Sequence, residues 1–327
     1  MSESLKEQIL QVVREDLLAV ESALEKNLTP QVDLVRQVAG HLIFSGGKRF
    51  RPLLMLLSAR MCGYREDRAI HYSTIFEYLH AATLLHDDLV DGAALRRGRK
   101  AAYTIYGNET AVLTGDFLLA RSLTIASDTG NPRVIAVIAG ITEAMSQGEI
   151  EQLNRRGDLS LTEAEYLEVI RRKTAVLFQG ACRTGALVAG AGDTVESALD
   201  TYGYHLGIAF QMADDLLDYL QQASVMGKSA GTDLKEGKLT LPLIIALQNA
   251  SASEGDFIRK MIGKTDFSDA EFEEFLEILN HTGGIAYAKR SAETHVAKAQ
   301  SALNMFPPSP ERDTLARFAD YSLKRGH

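Results

Sequence analysis

Apolar residues recur at helical spacing along most of the chain, and this pattern restricts the fold more than any other feature. It is clear from Leu5 to Leu17, again from Leu79 to His86, and later from Phe272 to Leu279. Strand-like alternation bounded by hairpin turns is missing from the sequence. The sequence therefore predicts an all-α fold.

Two segments are apolar on nearly every side of a helix, which predicts that they are buried. They are VIAVIAGITEAM at 134–145 and LPLIIAL at 241–247. No fixed-period repeat is present, which argues against a solenoid. We therefore expect a single domain over residues 1–327, built as one large helical bundle with interior helices.

Loops are expected where glycine, proline and polar residues cluster. The expected loops are 96–104, 154–161, 224–240 and 306–311. The last contains Pro307, Pro308 and Pro310 and predicts a turn before a final helix that ends near Arg325.

Charge and cysteine content exclude several classes of protein. The net charge of -8 argues against a general nucleic-acid binder, which normally has a basic surplus. The two cysteines, Cys62 and Cys182, lack metal-ligand spacing and are expected to be reduced. The amino-terminal segment mixes acidic residues into its apolar pattern, unlike a signal peptide, and no apolar run is long enough to span a bilayer. We expect a cytoplasmic protein without a transmembrane segment.

Two aspartate clusters are the main chemical feature of the sequence. The first aspartate motif is Asp87, Asp88 and Asp91 in LLHDDLVD, and the second is Asp214, Asp215 and Asp218 in FQMADDLLD. On a helix, residues four apart lie on one face, and like charges there repel. Because the surrounding residues are apolar, unpaired charge on these carboxylates would be costly, and a bound cation is the simplest way to stabilise it.

Clustered carboxylates without cysteine are suited to Mg²⁺. One such cluster is often only a solvated acidic face. Two clusters embedded in apolar helix favour a diphosphate held between them by metal ions, because Mg²⁺ is usually shared between carboxylates and substrate phosphates.

Basic residues that could bind phosphate lie near glycines and near both motifs. Arginine binds phosphate through a planar fork and lysine acts as a point charge. The residues are Lys48, Arg49 and Arg51 in GGKRFRP, Arg96 and Arg97 after the first motif, Lys173 in RRKTA, and Lys228 and Lys238 after the second motif.

These segments together resemble the trans-type polyprenyl diphosphate synthases, a family that includes farnesyl and octaprenyl diphosphate synthases. The matching segments are GGKRFRP, HAATLLHDDLVDGAALRRG, the YGN…TGDFLL stretch, RRKTA, FQMADDLLD and GKSAGTDLKEGKLTLP. They run in the order of the family from residue 46 to 242. The resemblance implies an all-helical bundle around a deep central cavity, and a homodimer.

The resemblance also implies a role for each matching residue. Asp87, Asp91 and Asp214 would hold three Mg²⁺ ions on the allylic diphosphate, and Asp88, Asp215 and Asp218 complete the two metal-binding motifs. The allylic diphosphate would contact Arg96, Lys173, Lys228 and Lys238. The isopentenyl diphosphate pocket would contain Lys48, Arg51, His80 and Arg97. Oxygens of Thr174 and Gln211 would stabilise the developing carbocation.

The reaction implied by the resemblance joins isopentenyl diphosphate to an allylic diphosphate, head to tail. The leaving diphosphate is stabilised by metal ions and lysines, and the double bond of isopentenyl diphosphate attacks the allylic cation. The released diphosphate then removes the proton, which explains why no protein nucleophile or base is evident. An apolar cavity would protect the cation from water.

The length of the product is expected to depend on the residues just before the first aspartate motif. Ala82 and Thr83 are small, whereas short-chain members of the family commonly carry an aromatic residue there. This favours a long product, from hexaprenyl to decaprenyl. Alternatively, these residues only pack the helix, and the floor of the tunnel lies elsewhere, for example on the helix at 134–147.

Other functions compete with this hypothesis. A short-chain farnesyl or geranylgeranyl diphosphate synthase would share all the motifs. A terpene cyclase would share the first motif, but would lack Lys48, Arg51 and Arg97. A metal phosphohydrolase could use His86 beside Asp87, yet the eight histidines are scattered. An inactive helical subunit would be expected to lose the charged residues that are intact here.

Overall fold

The computed structural model describes residues 5–220 and 231–324, and in these residues the chain is almost entirely helical. The helices before residue 155 are α1 (Leu5–Asn27), α2 (Asp33–Ile43), α3 (Phe50–Met61), α4 (Arg68–Val90), α5 (Ala102–Tyr106), α6 (Asn108–Ser127) and α7 (Pro132–Asn154). The later helices are α8 (Glu163–Ile170), α9 (Val176–Val188), α10 (Asp193–Leu220), α11 (Thr232–Lys235), α12 (Leu241–Asn249), α13 (Ala252–Met261), α14 (Asp269–His281), α15 (Gly284–Ala302) and α16 (Pro310–Leu323). The prediction of an all-α fold is confirmed.

Short elements of other types interrupt the helices. A hairpin of two very short strands, β1 (Leu95–Arg96) and β2 (Arg99–Lys100), follows α4. A π-helical turn (Arg171–Ala175) joins α8 to α9, and a 3₁₀ turn (Leu303–Met305) follows α15. The hairpin and the start of α5 correct the expectation of a loop at 96–104. Helix α11 corrects the expected loop at 224–240, of which residues 224–230 lie outside the described residues.

The chain divides into two compact units, each described here by itself. The first unit contains residues Met1–Thr142, Leu177–Asp200 and Leu303–Arg317, and the second contains Glu143–Val176, Thr201–Ala302 and Phe318–His327. Helices α7 and α10 therefore contribute to both units. The expectation of a single domain over residues 1–327 stays a prediction.

Helix α4 is the central helix of the first unit. It packs against α1, α2, α3, α5 and α6, and its residues from Tyr72 to Leu79 are all buried. Close approach of α4 to α6 depends on Gly115, because a Cβ there would lie 2.2 Å from Nε2 of His86. The first aspartate motif therefore lies at the end of a helix that is fixed on several sides.

The core of the second unit is formed by apolar residues of α8, α10, α12, α14 and α15. Residues Leu241 to Ala246 are all buried, as their apolar sequence predicts. Gly207 of α10 lies directly against the π-helical turn, since a Cβ there would be 2.5 Å from Cα of Ala175. This contact brings the turn and the middle of α10 together.

The apolar segment at 134–145 is not buried on every side, so that expectation is wrong for the single chain. Val134, Ile138 and Ile141 are buried, but Ile135 is 38% exposed. The small residues Ala136, Ala139 and Gly140 are exposed as well. Helix α7 thus presents an apolar face that residues 5–220 and 231–324 leave exposed.

The turn before the last helix occurs where the prolines predict it. Helix α16 begins at Pro310 and ends at Leu323, close to the expected end near Arg325. None of the helices in the described ranges is long and apolar enough to cross a membrane.

Candidate active site

The first aspartate motif lies at the carboxyl end of α4. Asp87 and Asp88 belong to its last turn, and Asp91 follows its last residue with its N–H donating to the carbonyl of Asp87 at 2.8 Å. A helix carboxyl end carries partial negative charge, so three carboxylates there create a strong demand for cations. Asp87 and Asp91 are half-buried and Asp88 is buried.

The guanidinium of Arg96, in the hairpin, supplies part of the positive charge that the first aspartate motif requires. Arg96 in β1 donates from Nε to Oδ1 of Asp88 at 2.7 Å, and its Nη2 also contacts this oxygen. The hairpin turns at Arg97 and Gly98, which both have positive φ, of 54° and 74°. Two-residue hairpin turns require this conformation, and an arginine adopts it only reluctantly.

The GGKRFRP segment places two predicted phosphate-binding residues at a helix amino end. Lys48 is exposed just before α3, and Arg51 is half-buried in its first turn. The guanidinium of Arg51 lies 4.6 Å from the centre of the Phe178 ring. A helix amino end together with lysine and arginine favours an anion.

Arg49 anchors this segment, a role that the sequence did not reveal. Its Nη1 donates to Glu77 at 2.5 Å, its Nε donates to Glu21 at 2.7 Å, and its Nη2 donates to the carbonyl of Ile43 at 2.6 Å. Burial opposes its charge, but Glu77 and Glu21 more than offset this, so the pKa of Arg49 is raised. The ion pairs hold Arg49 in a left-handed conformation with φ of 50°.

His80 lies among arginines of the same unit. Burial, and then the charges of Arg51 and Arg97, lower the pKa of His80 well below its usual value. His80 is therefore neutral at physiological pH and can donate or accept a hydrogen bond without adding charge.

In the second unit, the π-helical turn carries two more predicted residues. Lys173 forms an ion pair with Glu149 at 2.6 Å and donates to Oε1 of Gln152 at 2.7 Å. The hydroxyl of Thr174 donates to Oε1 of Gln211 at 2.7 Å. π-Helical turns are frequent at functional sites because they change which side chains face a cavity.

A pocket of the second unit brings these residues together. Its polar lining residues are Gln152, Arg155, Tyr166, Lys173, Thr174, Gln211, Asp215, Asp233, Lys238 and Thr240. Lys173, Thr174, Gln211, Asp215 and Lys238 were all predicted as site residues. Lys228 lies outside the described residues.

The second aspartate motif lies on α10, and its three members have different surroundings. Asp214 is exposed, whereas Asp215 is buried and accepts from Tyr166 at 2.6 Å and from Gln211 at 2.7 Å. Asp218 accepts from the backbone N–H groups of Thr232 and Asp233, at 3.2 and 2.9 Å. Sequence reasoning missed Tyr166, for which no pattern in the sequence gave a signal.

Burial raises the pKa values of the acidic groups around this pocket. The pKa of Asp215 is raised to about 6, chiefly by burial, while its two hydrogen bonds act in the opposite direction. Burial, together with Asp215 and Asp218, raises the pKa of Asp233 well above its usual value. The pocket therefore concentrates carboxylates whose negative charge a bound cation would relieve.

Metal binding by this chain would require carboxylates together with oxygen atoms of a bound substrate. Across residues 5–220 and 231–324, no three His, Cys, Asp or Glu side chains come together in a preformed metal cluster. Mg²⁺ is normally bound by one or two carboxylates plus substrate phosphates. The accessible carboxylates of Asp87, Asp91 and Asp214 are hard oxygen donors of the type this ion needs.

Comparison with known proteins identifies the class. The model of the polyprenyl synthetase family matches residues 32–279, which is more than half of the chain. The chain therefore belongs to the polyprenyl synthetase family, and it is an enzyme that transfers prenyl groups. The predicted resemblance is confirmed, and the metal phosphohydrolase and the inactive helical scaffold are not supported.

Several named relatives match over nearly their full length. Octaprenyl diphosphate synthase of Escherichia coli (strain K12) is 35% identical over 319 residues, which cover 98% of each chain. The all-trans-nonaprenyl-diphosphate synthase (geranyl-diphosphate specific) of Rhodobacter capsulatus is 37% identical, with 99% of each chain covered. Similarity to such enzymes supports long-chain trans-prenyltransferase activity, and does not favour the short-chain or cyclase alternatives.

Solved structures show the same fold. A decaprenyl diphosphate synthase from Rhodobacter capsulatus matches with a TM-score of 0.91 and 38% identity, covering 98% of this chain and 99% of that one. A polyprenyl synthase from Caulobacter crescentus CB15, complexed with calcium and isoprenyl diphosphate, also matches with a TM-score of 0.91 and 38% identity, covering 99% of both chains.

Proposed function

We propose that this enzyme extends an allylic diphosphate with isopentenyl diphosphate to give a long-chain trans-polyprenyl diphosphate, from hexaprenyl to decaprenyl. The observation that carries the proposal is the pocket of the second unit. There a lysine, a threonine hydroxyl and a glutamine amide come together beside the second aspartate motif. This set provides positive charge for a diphosphate and oxygen dipoles for a developing cation.

The proposed metal ligands are carboxylates of both aspartate motifs. We assign the accessible Asp87, Asp91 and Asp214 to Mg²⁺, with Asp218 as a supporting member. Asp88, also predicted to complete the first metal motif, is instead assigned to the ion pair with Arg96. Three Mg²⁺ ions per site are proposed on the family resemblance. When bound, Mg²⁺ supplies charge neutralisation to the leaving diphosphate.

The basic residues bind and orient the two substrates. Lys173, Lys238 and Arg96, with Lys228, are assigned to the allylic diphosphate. In the chain as described, Lys173 is held by Glu149 and Gln152. A fixed ammonium group needs little reorganisation when an anion arrives, which favours catalysis.

The isopentenyl diphosphate is assigned to the first unit. Lys48 and Arg51 lie at the amino end of α3, and His80 and Arg97 lie in the same unit. Neutral His80 among arginines can hydrogen bond to a diphosphate oxygen without titrating near neutral pH. Arg49, already paired with Glu21 and Glu77, holds the loop that carries Lys48.

The oxygens of Thr174 and Gln211 stabilise positive charge on the allylic carbon after the carbon–oxygen bond breaks. The double bond of isopentenyl diphosphate attacks this carbon, and the proton leaves to the released diphosphate. The surrounding residues exclude water from the cation.

Product length is proposed to depend on Ala82. Ala82 is fully buried on α4 and Thr83 is half-buried, so an enlarged side chain at residue 82 must displace its neighbours or fill the space for the product. We expect Ala82→Phe to shorten the product, as measured by mass spectrometry. An unchanged product length would place the floor of the tunnel elsewhere, for example on the helix at 134–147.

A homodimer is proposed from the uncovered apolar faces of the first unit. Ile135, Ala136 and Ala139 are exposed on α7, and Leu113 and Leu123 are 66% and 42% exposed on α6. Apolar helix faces of this kind are commonly covered by another subunit. One relative, from Geobacillus stearothermophilus, is named heptaprenyl diphosphate synthase component 2, so a different partner chain is the alternative.

The dimer is tested by Ile135→Glu in analytical ultracentrifugation. We expect the variant to dissociate, whereas Leu18→Glu, at a 64% exposed position of α1, should leave the assembly unchanged. A wild-type chain that is monomeric and inactive alone would favour the two-component alternative.

The activity is tested by incubating the purified chain with Mg²⁺, isopentenyl diphosphate and farnesyl diphosphate. Mass spectrometry should show a ladder that ends at one long prenyl diphosphate. Product that stops at geranylgeranyl length would keep the reaction and refute the long chain. Absence of condensation with every allylic starter would refute the proposed function. A single synthase domain and a cytoplasmic location stay predictions.

A further inference from the structure

A continuous chain of hydrogen bonds runs from the pocket of the second unit into its core. The hydroxyl of Thr174 donates to Oε1 of Gln211 at 2.7 Å, and Nε2 of Gln211 donates to Oδ1 of Asp215 at 2.7 Å. The phenol of Tyr166 then donates to the other oxygen of Asp215 at 2.6 Å. All four residues line the same pocket.

The buried end of the chain determines the orientation of the accessible end. A carboxylate only accepts hydrogen bonds, so Asp215 selects the nitrogen of the Gln211 amide and turns its oxygen toward Thr174. Thr174 has a single hydroxyl proton, and this proton is engaged in the hydrogen bond to Oε1 of Gln211. What Thr174 presents to the pocket is therefore an oxygen with lone pairs.

This orientation is the one that a developing carbocation needs. If the Gln211 amide rotated by half a turn, its NH₂ group would face Thr174 and the hydroxyl could point its proton at the reacting carbon. The dipole would then repel the cation instead of stabilising it. Groups that prevent the rotation are therefore needed for the chemical step.

We propose that Tyr166 and Asp215 are positioning residues that fix the Gln211–Thr174 pair, and that Asp215 is not a magnesium ligand. This inference rests on the proposed function. It replaces the predicted role of Asp215 as a metal ligand. Asp215 is only 5% exposed, and each of its two carboxylate oxygens already accepts a hydrogen bond from a neighbouring side chain. Asp214, the preceding residue on α10, is exposed, because successive side chains on a helix point in different directions.

Tyr166→Phe tests the positioning role, because it removes one hydroxyl and leaves a ring of the same shape. The Asp215 carboxylate then loses one of its two donors, and the Gln211 amide is less firmly held. We expect kcat to fall by about tenfold to a hundredfold, with KM for both diphosphates and the Mg²⁺ requirement unchanged.

Tyr78→Phe is the matched control. Its phenol is also buried and donates to the carbonyl of Leu24 at 2.6 Å, in the first unit. A purely structural hydroxyl of this kind should change thermal stability and leave kcat as it is. If Tyr166→Phe behaves in the same way, the positioning role is wrong.

Asp215→Asn separates positioning from metal binding, without depending on catalysis. The substitution keeps the shape but places an amide where two donors converge, so we expect kcat to fall as in Tyr166→Phe. Binding of Mn²⁺ with inorganic diphosphate, measured by electron paramagnetic resonance, should match the wild type. In the same measurement, Asp214→Asn should weaken Mn²⁺ binding at least about tenfold.

The outcomes distinguish this inference from the proposed function. A wild-type enzyme that makes no prenyl product overturns both. A wild-type enzyme that makes the product, together with weakened Mn²⁺ binding in Asp215→Asn, overturns the inference alone. Should Tyr166→Phe fail to fold, Asp215→Asn still decides, since normal Mn²⁺ binding with a lower kcat supports the positioning role and an unchanged kcat contradicts it.

Discussion

In the first aspartate motif the middle carboxylate, Asp88, is held by the guanidinium of Arg96, whereas in the second motif Asp215 is held by a phenol and an amide. The spacing of the aspartates is the same in both motifs, and in both the middle residue is buried while the first is more accessible. Identical spacing therefore does not imply identical roles for the middle members.

The kind of partner explains what each middle aspartate does. Arg96 belongs to the hairpin that also carries Arg97, so the charged pair fixes the place of two predicted substrate-binding arginines. Tyr166 and Gln211 are neutral, so they direct hydrogen bonds without cancelling charge. On the proposed assignment, the middle aspartate of the first motif positions arginine side chains, and the middle aspartate of the second motif positions the dipoles of Gln211 and Thr174.

The largest effect is expected where the two motifs are alike, at their first aspartates. Asp87→Asn and Asp214→Asn each remove a proposed metal ligand, and we expect kcat/KM to fall by about a thousandfold with a higher Mg²⁺ requirement. Steady-state kinetics over a range of Mg²⁺ concentrations measures both. Asp256→Asn, at an exposed surface aspartate of α13, is the control. Equal loss in the control, or none in either motif, would contradict the assignment.

A smaller effect, on stability, distinguishes the charged partner of Asp88 from the neutral partners of Asp215. Arg96→Gln leaves a carboxylate that is 3% exposed without its guanidinium, and should lower the free energy of unfolding by about 3 kcal/mol. Tyr166→Phe removes one hydrogen bond and should lower it by only about 1 kcal/mol.

Chemical denaturation measures both variants. Adding Asp88→Asn to Arg96→Gln removes the buried charge and should restore part of the stability. If Tyr166→Phe lowered stability more than Arg96→Gln, the distinction between charged and neutral anchoring would be wrong.

Replacing Gly207 by alanine should destabilise the protein more than replacing Gly115. At Gly207 a Cβ would meet the backbone of Ala175 at 2.5 Å, whereas at Gly115 it would meet the side chain of His86, which can rotate. We expect Gly207→Ala to destabilise the protein by about 2 kcal/mol and Gly115→Ala by clearly less. Thermal unfolding of both variants decides this, and the reverse order would contradict the close packing of the π-helical turn on α10.

The smallest effect concerns pH and lies away from both motifs. His295 and His205 share a contact of 3.0 Å between their Nδ1 atoms, and burial lowers the pKa of His295 to about 4. The unfolded chain takes up a proton near pH 6.5 and the folded chain does not, so stability is present above that pH and is lost as the pH falls toward 4.

Because His295 is only half-buried, we expect its contribution to be about 1 kcal/mol between pH 7 and 5. His295→Gln should reduce the pH dependence of the unfolding free energy by that amount. A variant with the same slope as the wild type would show that His295 is not the group responsible.

Much of the fold was predictable because helical periodicity is a local property. The pattern from Leu79 to His86 predicted part of α4, and the prolines near 307 predicted the start of α16. The exposed face of α7 was mispredicted because an apolar sequence indicates a preference for burial, but does not show what would bury it.

The predicted site residues were recognised from charge and motif, whereas the residues that hold them were not. Arg49 and Arg97 adopt left-handed conformations that their residue type disfavours, and Arg49 does so because its ion pairs to Glu21 and Glu77 stabilise that conformation. Tyr166 contacts Asp215 across 49 residues of sequence. Such contacts depend on tertiary packing, which local patterns do not encode.

The most direct test of this account is a crystal structure with Mg²⁺ and a non-hydrolysable allylic diphosphate analogue. We predict carboxylate oxygens of Asp87, Asp91 and Asp214 at about 2.1 Å from Mg²⁺, with Asp88 still bound to Arg96 and Asp215 still bound to Tyr166. Coordination of Mg²⁺ by Asp88 or Asp215 would contradict the distinction between ligands and positioning residues.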